Sequence, residues 1–114
     1  MLPKANRMSS GLFKLFNGAV KGEHTKHFFI QYKDSEDQLS KHRFGIVVSK
    51  KISNKAVVRN SIKRKIRVAL RTLDLLKETN TPKLFIIHTK KGGETLHLND
   101  ITKELGYTQI LHNL

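Results

Sequence analysis

Eleven basic residues, Lys41, Arg43, Lys50, Lys51, Lys55, Arg59, Lys63, Arg64, Lys65, Arg67 and Arg71, fall between positions 41 and 71 with no Asp or Glu among them. They are half of the chain's 22 Lys and Arg, and the formal net charge is +13. A solvated helix normally interleaves acids three or four residues away, which gains about 0.2 to 0.5 kcal/mol per pair. Nothing local offsets the repulsion here, so the chemistry on offer is neutralisation of a polyanion. Bond-breaking chemistry has no comparable signal. No paired carboxylates, no Ser, His and Asp in a nucleophile's order and no Gly-rich phosphate loop stand out. The nine acids are scattered rather than clustered for Mg²⁺, so no catalytic residue is expected. Absence of cysteine excludes disulfides, thiolate catalysis and the common structural zinc sites. His24 and His27 are spaced as a metal pair is, but no second pair of ligands joins them, and no metal site is expected. Gly92-Gly93 reads as a turn after a strand in preference to a phosphate contact.

The basic residues need an element to carry them. Val57 to Glu78 contains neither Gly nor Pro and sets Val58, Ile62, Ile66, Ala69, Leu73 and Leu76 at spacings of three and four, which predicts a long amphipathic helix. At about 100° per residue those six side chains share an arc of about 80°. Arg59, Lys63, Arg67 and Arg71 fall from about 100° to about 220° on the same wheel, with Asn60 and Arg64 beside them. One cationic face about 30 Å long results, opposite the core face. A merely solvated helix would leave this charge uncompensated, and a helix lying on an anionic membrane would give up the apolar face that the core needs.

His27 to Lys33 and Arg43 to Ser49 are rich in Phe, Ile, Val and Tyr and read as strands, most simply an antiparallel pair joined through Asp34 to Lys41. Lys83 to Thr89, between Asn80-Thr81-Pro82 and Gly92-Gly93, reads as a third strand whose unbroken apolar centre predicts burial on both faces. Leu12, Phe13, Leu15 and Phe16, between the caps Ser9 and Ser10 and Gly18, predict a short first helix. A last helix is predicted from Asp100 to about His112 with Asn99 as N-cap, although Gly106 costs it about 1 kcal/mol. At 114 residues and 38% apolar composition the chain is read as one domain, residues 1–114, of two layers. No apolar run approaches a membrane span, and Met1 to Ser10 lacks the apolar stretch of a secretory signal. No membrane partner is expected, and the cytoplasm is the expected compartment.

A strand ending in Ser49-Lys50-Lys51, a loop, then Ala56-Val57-Val58-Arg59-Asn60 opening a helix that continues through Ile62-Lys63-Arg64 to Arg67 resembles the signature of the bacterial ribonuclease P protein. Leu2-Pro3-Lys4-Ala5-Asn6-Arg7 is similar to that family's N-terminal start, and the elements follow its order over essentially the whole chain. One departure is plain: the family's Arg-Asn-Arg stands here as Arg59-Asn60-Ser61, which exchanges a guanidinium for a hydroxyl.

The resemblance implies an α/β (α+β) two-layer sandwich of the ribosomal protein S5 domain 2 type. It would have a central sheet of about four strands, three helices, and a left-handed βαβ crossover that no local pattern reveals. It also implies the protein subunit of a ribonucleoprotein whose catalytic RNA removes the 5′ leader from precursor tRNA. Mg²⁺ would be held by the RNA subunit and substrate, not by a protein site. The implied partners are the catalytic ribonuclease P RNA and precursor tRNA, with no obligate protein partner. On this reading Lys50, Lys51, Lys55, Arg59, Asn60, Lys63, Arg64, Arg67 and Arg71 bind RNA. Phe13, Phe16, Phe29 and Tyr32 form a groove between the first helix and the sheet where leader bases stack, each contact worth roughly 1 to 3 kcal/mol. The alternatives are a structural RNA-binding protein of the ribosomal type and a nucleic-acid chaperone, neither with a role in cleavage. The basic helix serves all three, and the Phe-bearing first segment favours the subunit.

Overall fold

The strand with two apolar faces is the middle of the molecule. In the computed structural model, which describes residues 2–9, 13–16, 21–35, 40–112 and 114, four strands form one sheet. They are β1 (Gly22–His24), β2 (Phe28–Asp34), β3 (Arg43–Val47) and β4 (Lys83–Thr89), in the order β1-β2-β4-β3. β2 runs antiparallel to β4, from Phe28 opposite Thr89 to Asp34 opposite Lys83. β3 runs parallel to β4, from Arg43 beside Leu84 to Val47 beside His88.

β2 and β3 therefore do not make the antiparallel pair that their order predicts. β4 lies between them because Leu84, Phe85, Ile86 and Ile87 are all buried and require a strand on each side as well as cover on each face. The parallel step from β3 to β4 needs a crossover, which the basic helix α1 (Ala56–Thr72) supplies. The short strand β1 is the fourth strand, invisible to periodicity at three residues.

One face of the sheet packs on the helices. Phe28, Ile30, Phe44, Phe85 and Ile87 meet Ile62, Ile66, Ala69 and Leu70 of α1, Ile101 and Leu105 of α2 (Leu98–Gly106) and Leu111 of α3 (Gln109–His112). Val58, Leu73 and Leu76 pack at the margin of this core. On the other face Leu84 and Ile86 are covered by Phe16, with Met8, Phe13 and Val47 around them. The N-terminal segment also closes the free edge of β3, through a parallel bridge between Arg7 and Phe44. Buried Asn6 fastens it by donating to the carbonyl oxygens of His42 at 2.9 Å and Leu76 at 3.2 Å.

Three element boundaries differ from expectation. α1 stops at Thr72, not Glu78, because Asp74 takes a left-handed conformation (φ 60°) and closes the helix. α2 is capped at His97, not Asn99, since Asp100 sits at its third position and accepts from the His97 N–H at 3.4 Å. After Gly106 the chain breaks at Tyr107 and Thr108 before α3, the Thr108 hydroxyl donating to the Leu105 carbonyl at 2.7 Å. The predicted first helix falls largely on residues 10–12 and 17–20, outside the described residues, and Lys14–Phe16 form a 3₁₀ turn.

Candidate RNA interface

α1 presents its cations as the helical wheel requires. Lys50, Lys51, Lys55, Asn60, Arg64 and Arg71 are exposed, and Arg59, Lys63 and Arg67 are half-buried on the flanks. Lys65 belongs to a different face, where its Nζ donates to the Leu96 carbonyl at 3.2 Å. Arg59 reaches back from the first turn, its Nη1 donating to the Ser53 carbonyl at 2.9 Å, while the Lys55 N–H donates to Ser53 Oγ at 3.2 Å. These bonds order the loop bearing Lys50, Lys51 and Lys55. No side chain caps the N-terminus of α1 and no acid lies in its first turn, so the helix dipole adds positive potential at that end. Along the exposed side Val57, Asn60, Ser61, Arg64 and Arg67 line a shallow groove of about 530 Å³, with Val57 81% exposed.

The four aromatics divide by strand alternation. Tyr32 lies opposite Phe85 and packs into the helical layer with Phe28 and Ile30. Phe29, one pleat away, points to the other face, where its ring stacks on His24 at 4.1 Å and on His88 at 5.8 Å. His88 Nε2 lies 2.7 Å from Gln31 Oε1, and burial pushes the pKa of this ring down. Phe16 covers Leu84 and Ile86 on this same face. The distal end of the Phe13 ring lies against Gly45, where a Cβ would stand 2.3 Å from its Cζ, so only glycine admits the ring at this position. Phe13, Phe16 and Phe29 thus share a face, and Tyr32 does not share it.

The aromatic and cationic sets meet beside β3. Arg7, Met8, Phe13, Gly45, Lys63 and Arg67 line a cleft of about 280 Å³ between the N-terminal segment and α1. The two histidines are engaged apart from each other: His24 stacks on Phe29, and His27 Nδ1 lies 2.7 Å from Glu104 Oε1. Gly92, at φ 97°, turns the chain back over His27.

The family model described as Ribonuclease P matches residues 3–111. The chain belongs to the ribonuclease P protein family. It is 39% identical over 107 residues to the ribonuclease P protein component of Geobacter sp. (strain M21), covering 90% of this chain and 84% of that one. With the component of Microcystis aeruginosa it shares 34% over 116 residues, covering 99% and 95%. The Staphylococcus aureus RNase P protein has the same fold at 23% identity, with a TM-score of 0.77 over 96% of each chain. So does the Thermotoga maritima protein, at 19% identity and a TM-score of 0.73 over 95% and 96%. Membership makes the chain an accessory subunit of the endoribonuclease that processes the 5′ leader of tRNA, and decides against the ribosomal-type alternative.

Several groups of this ribonuclease P protein escape a reading by residue type. Gly45 serves as the platform for Phe13, and Arg7 joins the cleft from the N-terminal segment. Gln31 and His88 flank Phe29 on the sheet face. Strand alternation marks Gln31 and Gly45, whereas Arg7 reaches the cleft only through the tertiary fold. Among the described residues no helix is long and apolar enough to cross a membrane.

Proposed function

We propose that this ribonuclease P protein binds the catalytic RNA through Lys50, Lys51, Lys55, Arg59, Asn60, Lys63, Arg64, Arg67 and Arg71. The single-stranded leader of precursor tRNA lies on the sheet face that carries Phe13, Phe16 and Phe29. The cleft beside β3 supports this reading best, because Phe13 there stands with Lys63 and Arg67, a stacking surface beside two phosphate-neutralising cations. Such a surface tracks a single strand with little base readout. The protein supplies no nucleophile. Among the described residues no three metal-ligating groups gather, and the Asp34, Asp74 and Glu104 carboxylates are each engaged by Lys83, Lys77 and His27. On this reading Mg²⁺ is held by the RNA subunit and substrate, and the protein lowers the Mg²⁺ needed by screening phosphates itself. The working compartment on this reading is the cytoplasm.

The test is precursor-tRNA cleavage by a bacterial ribonuclease P RNA at low Mg²⁺, with the wild type and with Arg64→Ala/Arg67→Ala. Wild type restores 5′ cleavage and the variant does so poorly. Tight RNA binding by the wild type with no effect on cleavage would sink the proposal.

A further inference from the structure

The turn entering β2 and the turn leaving β4 are joined into one ledge. The Lys90 N–H donates to the His27 carbonyl at 2.7 Å, and Lys90 Nζ donates to the Thr25 carbonyl at 2.8 Å. Glu104 reaches across from α2 and accepts from the His27 N–H at 2.7 Å and the Thr25 hydroxyl at 2.5 Å. Lys26 and Lys91 project from this ledge into solvent. Its acids face inward: Glu104 is committed to Thr25 and His27, and Glu94 accepts from the Gly92 N–H at 2.9 Å.

At the far end of the sheet Lys83 pairs with Asp34, and beyond α1 Lys77 pairs with Asp74 at 3.2 Å. The hydrogen bond from Lys83, then its charge, hold the Asp34 carboxyl below the usual carboxylate range. At the ledge end, among the described residues, no carboxylate pairs with Lys26, Lys50, Lys51 or Lys91. β3 and β4 are parallel with Val47 beside His88, so Ser49-Lys50-Lys51 and Lys90-Lys91 leave the sheet at the same end. The ledge therefore continues the cationic surface that begins at α1. Unpaired lysines on a rigid, hydrogen-bonded support suit a backbone of regularly spaced phosphates, since little side-chain or loop ordering remains to oppose binding.

We propose that this ledge is a second RNA-phosphate site, in which Lys26 and Lys91 neutralise backbone phosphates and carry the RNA footprint from Lys50 and Lys51 around the end of the sheet. The site rests on the reading of the chain as an RNA-binding subunit and adds a contact region outside α1. Its ligand is the phosphodiester backbone, supplied by the RNA subunit or by precursor tRNA.

The experiment is the salt dependence of binding for full-length Lys26→Ala/Lys91→Ala, with Arg64→Ala/Arg67→Ala as reference. One arm measures affinity for ribonuclease P RNA, and the other measures affinity of the reconstituted holoenzyme for precursor tRNA. Losing two phosphate contacts makes the slope of log affinity against log salt shallower by about 1.4 to 1.8. A change of that size in either arm supports the ledge, and the arm that changes names the source of the phosphates. If only the arginine variant changes a slope, the ledge is overturned and the subunit reading stands. If neither variant changes a slope, both are overturned.

Discussion

The guanidinium of Arg59 donates to the carbonyl oxygen of Ser53 at 2.9 Å, so the first cation of the helical RNA face also closes the loop that presents Lys50, Lys51 and Lys55. Arg59→Ala removes a phosphate contact and a loop tie together, whereas exposed Arg64 offers only the contact. Arg59→Ala is expected to lose about 1 kcal/mol of stability along with RNA affinity. Arg64→Ala is expected to lose affinity at an unchanged melting temperature. Thermal melts run beside RNA titrations check this, and equal melting temperatures for the two variants would show the Ser53 bond to be idle.

Gly45 matters through what lies on it. A Cβ there would stand 2.3 Å from Phe13 Cζ, so Gly45→Val must displace the ring. The expected cost is about 1 to 3 kcal/mol, together with weaker binding of long-leader precursor tRNA and unchanged affinity for the RNA subunit. Phe13→Ala in the Gly45→Val background should recover part of the lost stability, because the two sites touch and their effects do not add. If Gly45→Val keeps the wild-type ratio of affinities for long- and short-leader substrates, Phe13 is not a leader contact.

The core face of α1 was legible because Ile62, Ile66 and Ala69 recur at helical spacing and are buried as that spacing demands. The end of α1 was not. Leu75 and Leu76 continue the apolar pattern, yet Leu75 is buried as part of the closing turn, and Asp74 replaces the glycine that would have announced it. Strands are local and their pairing is not: nothing in β2 or β3 says that β4 will lie between them. Tyr32 shows the opposite case, a legible feature lost by grouping residues by type. Alternation alone places Tyr32 with Phe28 and Ile30, and Phe29 with Gln31.

Asp74 sits at φ 60° just past α1, where the Leu75 N–H donates to the Leu70 carbonyl at 3.1 Å and its own N–H to the Arg71 carbonyl at 3.0 Å. A side chain in this conformation is strained, and a carboxylate is misplaced at the negative end of a helix. Its ion pair with Lys77 is largely exposed and returns little. Asp74→Gly should therefore stabilise by about 1 kcal/mol, or about 4 °C in melting temperature, with RNA affinity unchanged. A variant that melts no higher than wild type would show that the left-handed position carries no cost.

Stability should fall in two acid steps. Burial, then the charge of Lys83, push the pKa of His42 below 6.5, and its Nδ1 accepts from the Lys83 N–H at 3.0 Å. Burial alone does the same to His88. Both rings stay neutral in the native state where the unfolded chain takes up protons, so their contribution is complete above pH 6.5 and is lost as pH falls below it. At Glu104 burial raises the pKa, but hydrogen bonds from Thr25 and His27 outweigh it, leaving the carboxyl below 4.5. Its contribution is present above pH 4.5 and disappears on further acidification. Urea unfolding across the acid range checks both steps. His42→Gln keeps a hydrogen-bond acceptor but has no ring to protonate, and should reduce the first step to the part that His88 carries while leaving the second. A wild-type stability curve that is level through the first window would mean that the unfolded chain gains no proton advantage there, and that neither ring is held neutral by the fold.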